Sequence, residues 1–202
     1  MGLILASASP RRAELLRAAG FDFEVVATDV DESIRAGESP QMYVRRLAAD
    51  KSSAALKGCA TAVNAIVLGA DTAVVVDGDI LGKPRDDEEA AAMLRRLSGR
   101  RHEVLTGVSL RHNAYELGRV ETTAVFFAQL TNEDVAWYLA SGEGRDKAGA
   151  YAIQGLASRF IPRIEGSYSN VVGLPVATVV ELIKEISGTR PNCSSPNQSA
   201  AD

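Results

Sequence analysis

Two short runs of unbroken apolar sequence, LILA at residues 3–6 and AIVLGAD at 65–71, most constrain what this chain can fold into. A strand with one wet face alternates apolar and polar residues, whereas a continuous run is covered on both faces. Segments with helical spacing follow and precede these runs, as covering a sheet requires. PRRAELLRAAG reads as a helix with Pro10 at its first position and Gly20 closing it. SPQMYVRRLAADKSSAAL places Met42, Val44, Leu47 and Ala48 at helical spacing, with Lys51 near its middle. The mixed order of strands and helices predicts an α/β fold with a mixed sheet and flanking helices.

Further along, FEVVATDV reads as a strand running into the acidic loop DVDES. TAVVVDGDILGKP reads as a hairpin turning at Asp77-Gly78. HEVLTGVSLRH and ELGRVETTAVFFAQL read as long paired strands around an Asn113-Ala114 turn. DDEEAAAMLRRLSG carries acids in its first turn and arginines in its last, as the helix dipole prefers. TNEDVAWYLASGEG opens on a capping-box arrangement of Thr131 and Asp134, and PVATVVELIKEISG is the last helix, from Pro175 to Gly188. Residues 189–202 offer little to bury and are expected to form a disordered tail behind a single domain at 1–188. At 202 residues the chain suffices for one sizeable domain, or one domain in two lobes.

A net charge of −4 gives no general attraction for nucleic acid or an anionic membrane, so any anion site must be local. No stretch approaches the ~20 apolar residues of a membrane span. The apolar start is too short for a signal peptide, and its arginines follow it instead of preceding it. Ala6 breaks the myristoylation pattern. Cys59 and Cys193 are far apart, which points to a reducing compartment without structural zinc. The expected location is the cytoplasm.

The charged residues are less conventional. In SASPRR, Ser9 suits a helix N-cap, yet Arg11 and Arg12 place two cations where the helix end is already positive. Either they build an anion site with the backbone amides, or both point into solvent. Asp71 is expected at the end of a buried strand, where it could hold a divalent cation, act as a general base, or simply cap a turn. Asp29, Asp31 and Glu32 cluster in TDVDE, a metal-binding edge or a solvated loop. Lys51 on its helix is by default a snorkelling surface lysine, and Lys83 in LGKP is held extended by the proline after it. Together, acids and lysines in separate loops are what a metal–triphosphate site needs. In DKAGAYAIQG, Gly149 and Gly155 permit close approach, and Gln154 can offer both donor and acceptor to a base edge. Ser167, Ser169 and Asn170 either cap a helix or make a second phosphate contact. His102 and His112 are the only histidines, neither near a nucleophile motif, so a Ser-His-Asp site is excluded and His102 is read as structural or surface.

In register, LASASPRR, DVDE, ADKSSA, LGADTAVV, LGKP, HEVLTGV, DKAGAYAIQG and GSYSNVVGLP resemble the Maf family of nucleotide pyrophosphatases, over residues 3–175. The resemblance implies a long mixed sheet in two lobes around a cleft, related to the inosine triphosphatase fold, and usually a homodimer. It implies hydrolysis of a nucleoside triphosphate to monophosphate and pyrophosphate with a divalent cation, Mg²⁺ or Mn²⁺. Asp71 matches the proton acceptor and, with Glu32, the metal's carboxylates. Ser9, Arg12, Lys51 and Lys83 match positions facing the triphosphate. Arg11, Thr72 and Gln154 match the branch acting on dTTP and UTP. A branch acting on 7-methyl-GTP carries Trp in place of Arg11 and Glu in place of Gln154, which suits a cationic purine. The family has also been discussed as an inhibitor of septum formation, which would make the site a nucleotide-binding regulator with little turnover.

Overall fold

The computed structural model describes residues 2–58 and 65–188. Cys59, Cys193 and the expected tail at 189–202 lie outside the described residues. Along the chain run β1 (Leu3–Ala6), α1 (Pro10–Ala18), β2 (Glu24–Val25), α2 (Pro40–Gly58), β3 (Ile66–Val76), β4 (Asp79–Leu81) and α3 (Asp87–Leu97). There follow β5 (Arg101–His112), β6 (Tyr115–Phe126), α4 (Asn132–Ala140), β7 (Arg163–Glu165), α5 (Tyr168–Val172) and α6 (Val176–Gly188). Among the described residues the strands form one seven-stranded sheet in the order β2-β1-β3-β5-β6-β7, with β4 on β3. The β2-β1-β3 pairs are parallel and the remaining pairs antiparallel, so the sheet is mixed as expected.

Local signals place most ends. Gly20 at φ +80° closes α1, with its own amide bonded to Arg17 O and that of Phe21 to Leu16 O. Asp86 caps α3 through the Glu89 amide, and Thr131 and Asp134 form the expected capping box on α4. Asn113 at φ +55° turns the β5–β6 hairpin.

Two expectations are corrected. FEVVATDV contributes only the two-residue β2: Glu24 and Val25 pair with β1, and the contact ends on the Val26 amide, which donates to Leu5 O. AIVLGAD and TAVVV are not two strands but one, so Asp71 sits in the middle of β3 and not at a strand end. β5 pairs with β3 continuously from Val67 to Val75 and holds it straight through that point.

The opposite edge of β3 is interrupted. β1 covers Ile66 to Gly69 and β4 covers Val74 to Val76, leaving residues 70–73 without a strand partner there. The apolar core divides at the same place. Leu5, Leu16, Leu68, Leu110 and Leu182 pack around α1 and α6. Val74, Leu94, Val104, Tyr138 and Phe160 pack around α3 and α4. These are the two expected lobes, and the cleft opens at the gap between them.

The helix α2 crosses the sheet at very close range. A Cβ on Gly69 would lie 2.2 Å from Ala48 O, and one on Gly107 would lie 2.1 Å from Val44 O. Only glycine at both positions lets the helix backbone rest on the sheet. This contact brings Lys51 down to β3.

Candidate functional site

A cavity of about 580 Å³ fills the cleft, within the range of small-molecule sites. Every residue that the family resemblance assigned to the site lines it: Ser9, Arg11 and Arg12 from the start of α1, Glu32 from its loop, Lys51 from α2, Asp71 and Thr72 from β3, Lys83 after β4, and Gln154.

Asp71 and Thr72 are consecutive strand residues and leave opposite faces of the sheet. Asp71 faces α2, where Lys51 Nζ donates to its Oδ1 at 2.7 Å. The same ammonium lies 2.6 Å from Glu32 Oε1. Lys51 is therefore not a snorkelling surface residue: it is buried, as is Asp71. Burial alone would push the Glu32 carboxyl up. The hydrogen bond and charge of Lys51, with Lys83 and Arg12 beyond, hold it below its usual value. Glu32 is thus ionised and pointed at the cleft.

Thr72 faces α1. Arg12 Nη2 donates to Thr72 Oγ1 at 3.0 Å, Nη1 to Ser7 Oγ at 3.0 Å, and Nε to Gly173 O at 2.8 Å. Thr72 Oγ1 also lies 3.0 Å from Thr106 Oγ1 and 3.3 Å from Gly173 O. The sequence left Arg12 either in an anion site or turned into solvent at a helix end that is already positive. The structure rules out the second: the side chain is turned back and buried, and a carbonyl and two hydroxyls receive three of its donors. Burial draws its guanidinium below its ordinary value, against the pull of the Asp71 charge. Ser9 occupies the N-cap position, but its hydroxyl makes no capping bond.

Arg11 and Arg12 differ sharply. Arg11 remains partly exposed, 3.8 Å from Asp146 across the cleft. Lys83 is exposed at the rim, and Gly82 O beside it accepts from Gly149 N at 3.0 Å, tying the Lys83 loop to the loop that carries Gln154. Gly149 has φ +69° and lies against Val74, so the pinch requires glycine. Of the three acids in TDVDE, only Glu32 lines the cavity; Asp31 accepts from the Ser33 amide within its own loop. The second phosphate contact imagined at 167–170 is not formed by Asn170. That residue is fully buried, and its Nδ2 donates to Val104 O and Thr123 Oγ1. Ser167 caps α5, and Ser169 Oγ accepts from the Val176 amide. His102 proves structural: it is buried, its Nε2 2.9 Å from Tyr151 Oη.

Ser7, Tyr43 and Lys147 are among the cavity residues that sequence reasoning missed. Ser7 holds Arg12, Tyr43 donates its hydroxyl to Glu32 O at 3.1 Å, and Lys147 pairs with its neighbour Asp146. Tyr43 hid within the apolar stripe of a helix. Ser7 and Lys147 stood inside stretches already singled out, next to residues with more obvious chemistry.

A family model described as Maf-like protein matches residues 2–186. The chain belongs to the Maf family. A family member from Hahella chejuensis, named dTTP/UTP pyrophosphatase, is 51% identical over 91% of this chain and 91% of its own length. Another of the same name, from Koribacter versatilis, is 51% identical over 91% of this chain and 94% of its own. The solved structure of the Staphylococcus aureus Ham1 protein covers 94% of this chain and 100% of that one, at 14% identity and a TM-score of 0.47.

Proposed function

We infer that this Maf protein hydrolyses dTTP and UTP to the nucleoside monophosphate and pyrophosphate. One observation carries the chemistry: two acids and a buried ammonium meet at the gap in the sheet, with arginines on the facing helix start, in one cavity. The names of relatives at about half identity over nine-tenths of the chain support the substrate.

Asp71 is the proton acceptor. Lys51 occupies its Oδ1, and among the described residues Oδ2 takes no hydrogen bond, which leaves an oxygen for the attacking water. The water's oxygen forms a bond to phosphorus, the α–β anhydride bond breaks, and the proton passes to Asp71. Pyrophosphate leaves against Lys51, Lys83, Arg12 and the Ser9 hydroxyl, whose positive field is fixed before the charge develops. Arg11, Thr72 and Gln154 select the base.

Two carboxylates already converging on one positive charge are hard oxygen donors that suit Mg²⁺ or Mn²⁺. Among the described residues no three His, Cys, Asp or Glu side chains converge, so Asp71 and Glu32 would be the protein's share of the ligands and phosphate oxygens the rest. Such a cation would neutralise phosphate charge and acidify the water. Among the described residues no helix is long and apolar enough to cross a membrane. We read the protein as a homodimer, as its family resemblance implies, and as cytoplasmic and without a nucleic-acid partner from its cysteine usage and net charge of −4.

The test is pyrophosphate release from dTTP and UTP with Mg²⁺ or Mn²⁺, comparing wild type with Asp71→Asn. The variant should lose about 10²–10⁴-fold in kcat, the usual contribution of a general base. Turnover near wild type in a folded Asp71→Asn protein removes Asp71 from that role.

A further inference from the structure

Gln154 projects into the cleft, exposed, and its side-chain amide makes no hydrogen bond among the described residues. Whatever fixes its position must act through the backbone on either side. Two residues before it, the Ala152 amide donates to Tyr138 Oη at 3.1 Å. Two residues after it, the Leu156 amide donates to Glu143 Oε1 at 2.9 Å. Tyr138 Oη in turn donates to Glu143 Oε2 at 2.8 Å. One carboxylate therefore ties down both flanks of Gln154, one directly and one through a phenol.

The packing is equally specific. A Cβ on Gly155 would lie 1.9 Å from Glu143 Oε1 and 2.5 Å from its carboxyl carbon, so the carboxylate lies against bare backbone. A Cβ on Gly144 would lie 2.2 Å from Ala150 O and 3.3 Å from a Tyr138 ring carbon, closing the other side of the same loop. Tyr138 is anchored in the core of the α3–α4 lobe and is 1% exposed. Neither Tyr138 nor Glu143 lines the cavity.

We propose that Tyr138 and Glu143 are positioning residues for base selection, bracing the segment 152–156 so that Gln154 meets the base edge at a fixed distance. This rests on Gln154 being the group that reads the base. An unbraced amide still binds a base, but at a spread of distances, so the correct base loses more than a wrong one. The brace shares no hydrogen bond or ion pair with Asp71 or Lys51, so its loss acts on binding of the base and leaves the hydrolytic step intact.

The test is a cycle of Glu143→Ala and Gln154→Ala, alone and combined. It is read as kcat/KM for dTTP over dCTP, with inhibition constants where turnover is too slow. Glu143→Ala should lower the ratio about tenfold, the size of one weakened hydrogen bond, through KM for dTTP and with kcat within about twofold. Glu143→Gln keeps an acceptor for the Leu156 amide and should restore most of the ratio. In the Gln154→Ala background, Glu143→Ala should change nothing further. If Glu143→Ala fails to fold, Glu143→Gln and Tyr138→Phe carry the comparison with intermediate losses. An unchanged ratio in folded Glu143 and Tyr138 variants, while Gln154→Ala lowers it, overturns the brace alone. Effects that multiply in the double variant also overturn it. A ratio untouched by Gln154→Ala overturns both the brace and the base-reading role beneath it.

Discussion

Gly69→Ala is the most demanding test of how this fold makes its site. The added methyl would lie 2.2 Å from Ala48 O, 2.7 Å from Ser52 N and 3.0 Å from Ser52 Cβ. The two nearest atoms belong to helix backbone, so no side-chain rotation relieves the clash. To reach the 3.4 Å of an ordinary contact, α2 must withdraw from β3 by about 1.2 Å. Overpacking of this kind costs about 2 kcal/mol, which urea denaturation would read as a lower midpoint at unchanged slope. The same movement carries Lys51 away from Asp71, stretching a contact now at 2.7 Å towards 4 Å. A misplacement of about 1 Å in a reacting cluster costs on the order of tenfold to a hundredfold in kcat. Stability and turnover should therefore fall together. A Gly69→Ala protein within about 0.5 kcal/mol of wild type and fully active would refute the claim that this close approach sets the site.

The other predictions concern charge. Arg12→Ala should slow hydrolysis of every nucleotide alike and also cost about 2 kcal/mol of stability, since Gly173 O and Thr72 lose a buried donor. Arg11→Trp should instead change the ranking of bases at little cost in stability, because Arg11 holds only a 3.8 Å ion pair with exposed Asp146; a nucleotide panel with melting curves separates the two. Burial, with a smaller push from Arg101, lowers His102 from 6.5 to about 4, so the unfolded chain takes up that proton first. Stability is full above pH 6.5 and falls as pH drops through about 4, by about 3 kcal/mol in all. His102→Gln should flatten the acid limb of the stability–pH curve, and an equally steep limb would reassign that proton.

Much of the molecule was legible because its signals are local. Pro10 and Gly20 bound α1, Asp86 and Thr131 cap their helices, and Asp77-Gly78 turns its hairpin by torsional preference and near-neighbour hydrogen bonds alone. The chemistry of the site was equally open to reading, since only certain side chains can hold a triphosphate. Lys51 shows where local reading stops. As a helix residue it looked like a solvated cation. Its burial depends on Gly69 and Gly107, each remote in sequence, having no side chain.

The sequence by itself determined most of the helices and strands, where most of them end, and which residues are candidates for the site. Each of those follows from a residue and its near neighbours. Only the tertiary structure decided that Asp71 lies mid-strand, where it opens to the cavity because β1 ends at Gly69 and β4 begins to pair at Val74. It also decided that Arg12 is buried against Gly173 O while Arg11 faces the cleft, a difference set by contacts 161 residues away along the chain. A sheet edge, a close approach and a buried charge are relations between distant segments, and no local preference encodes them.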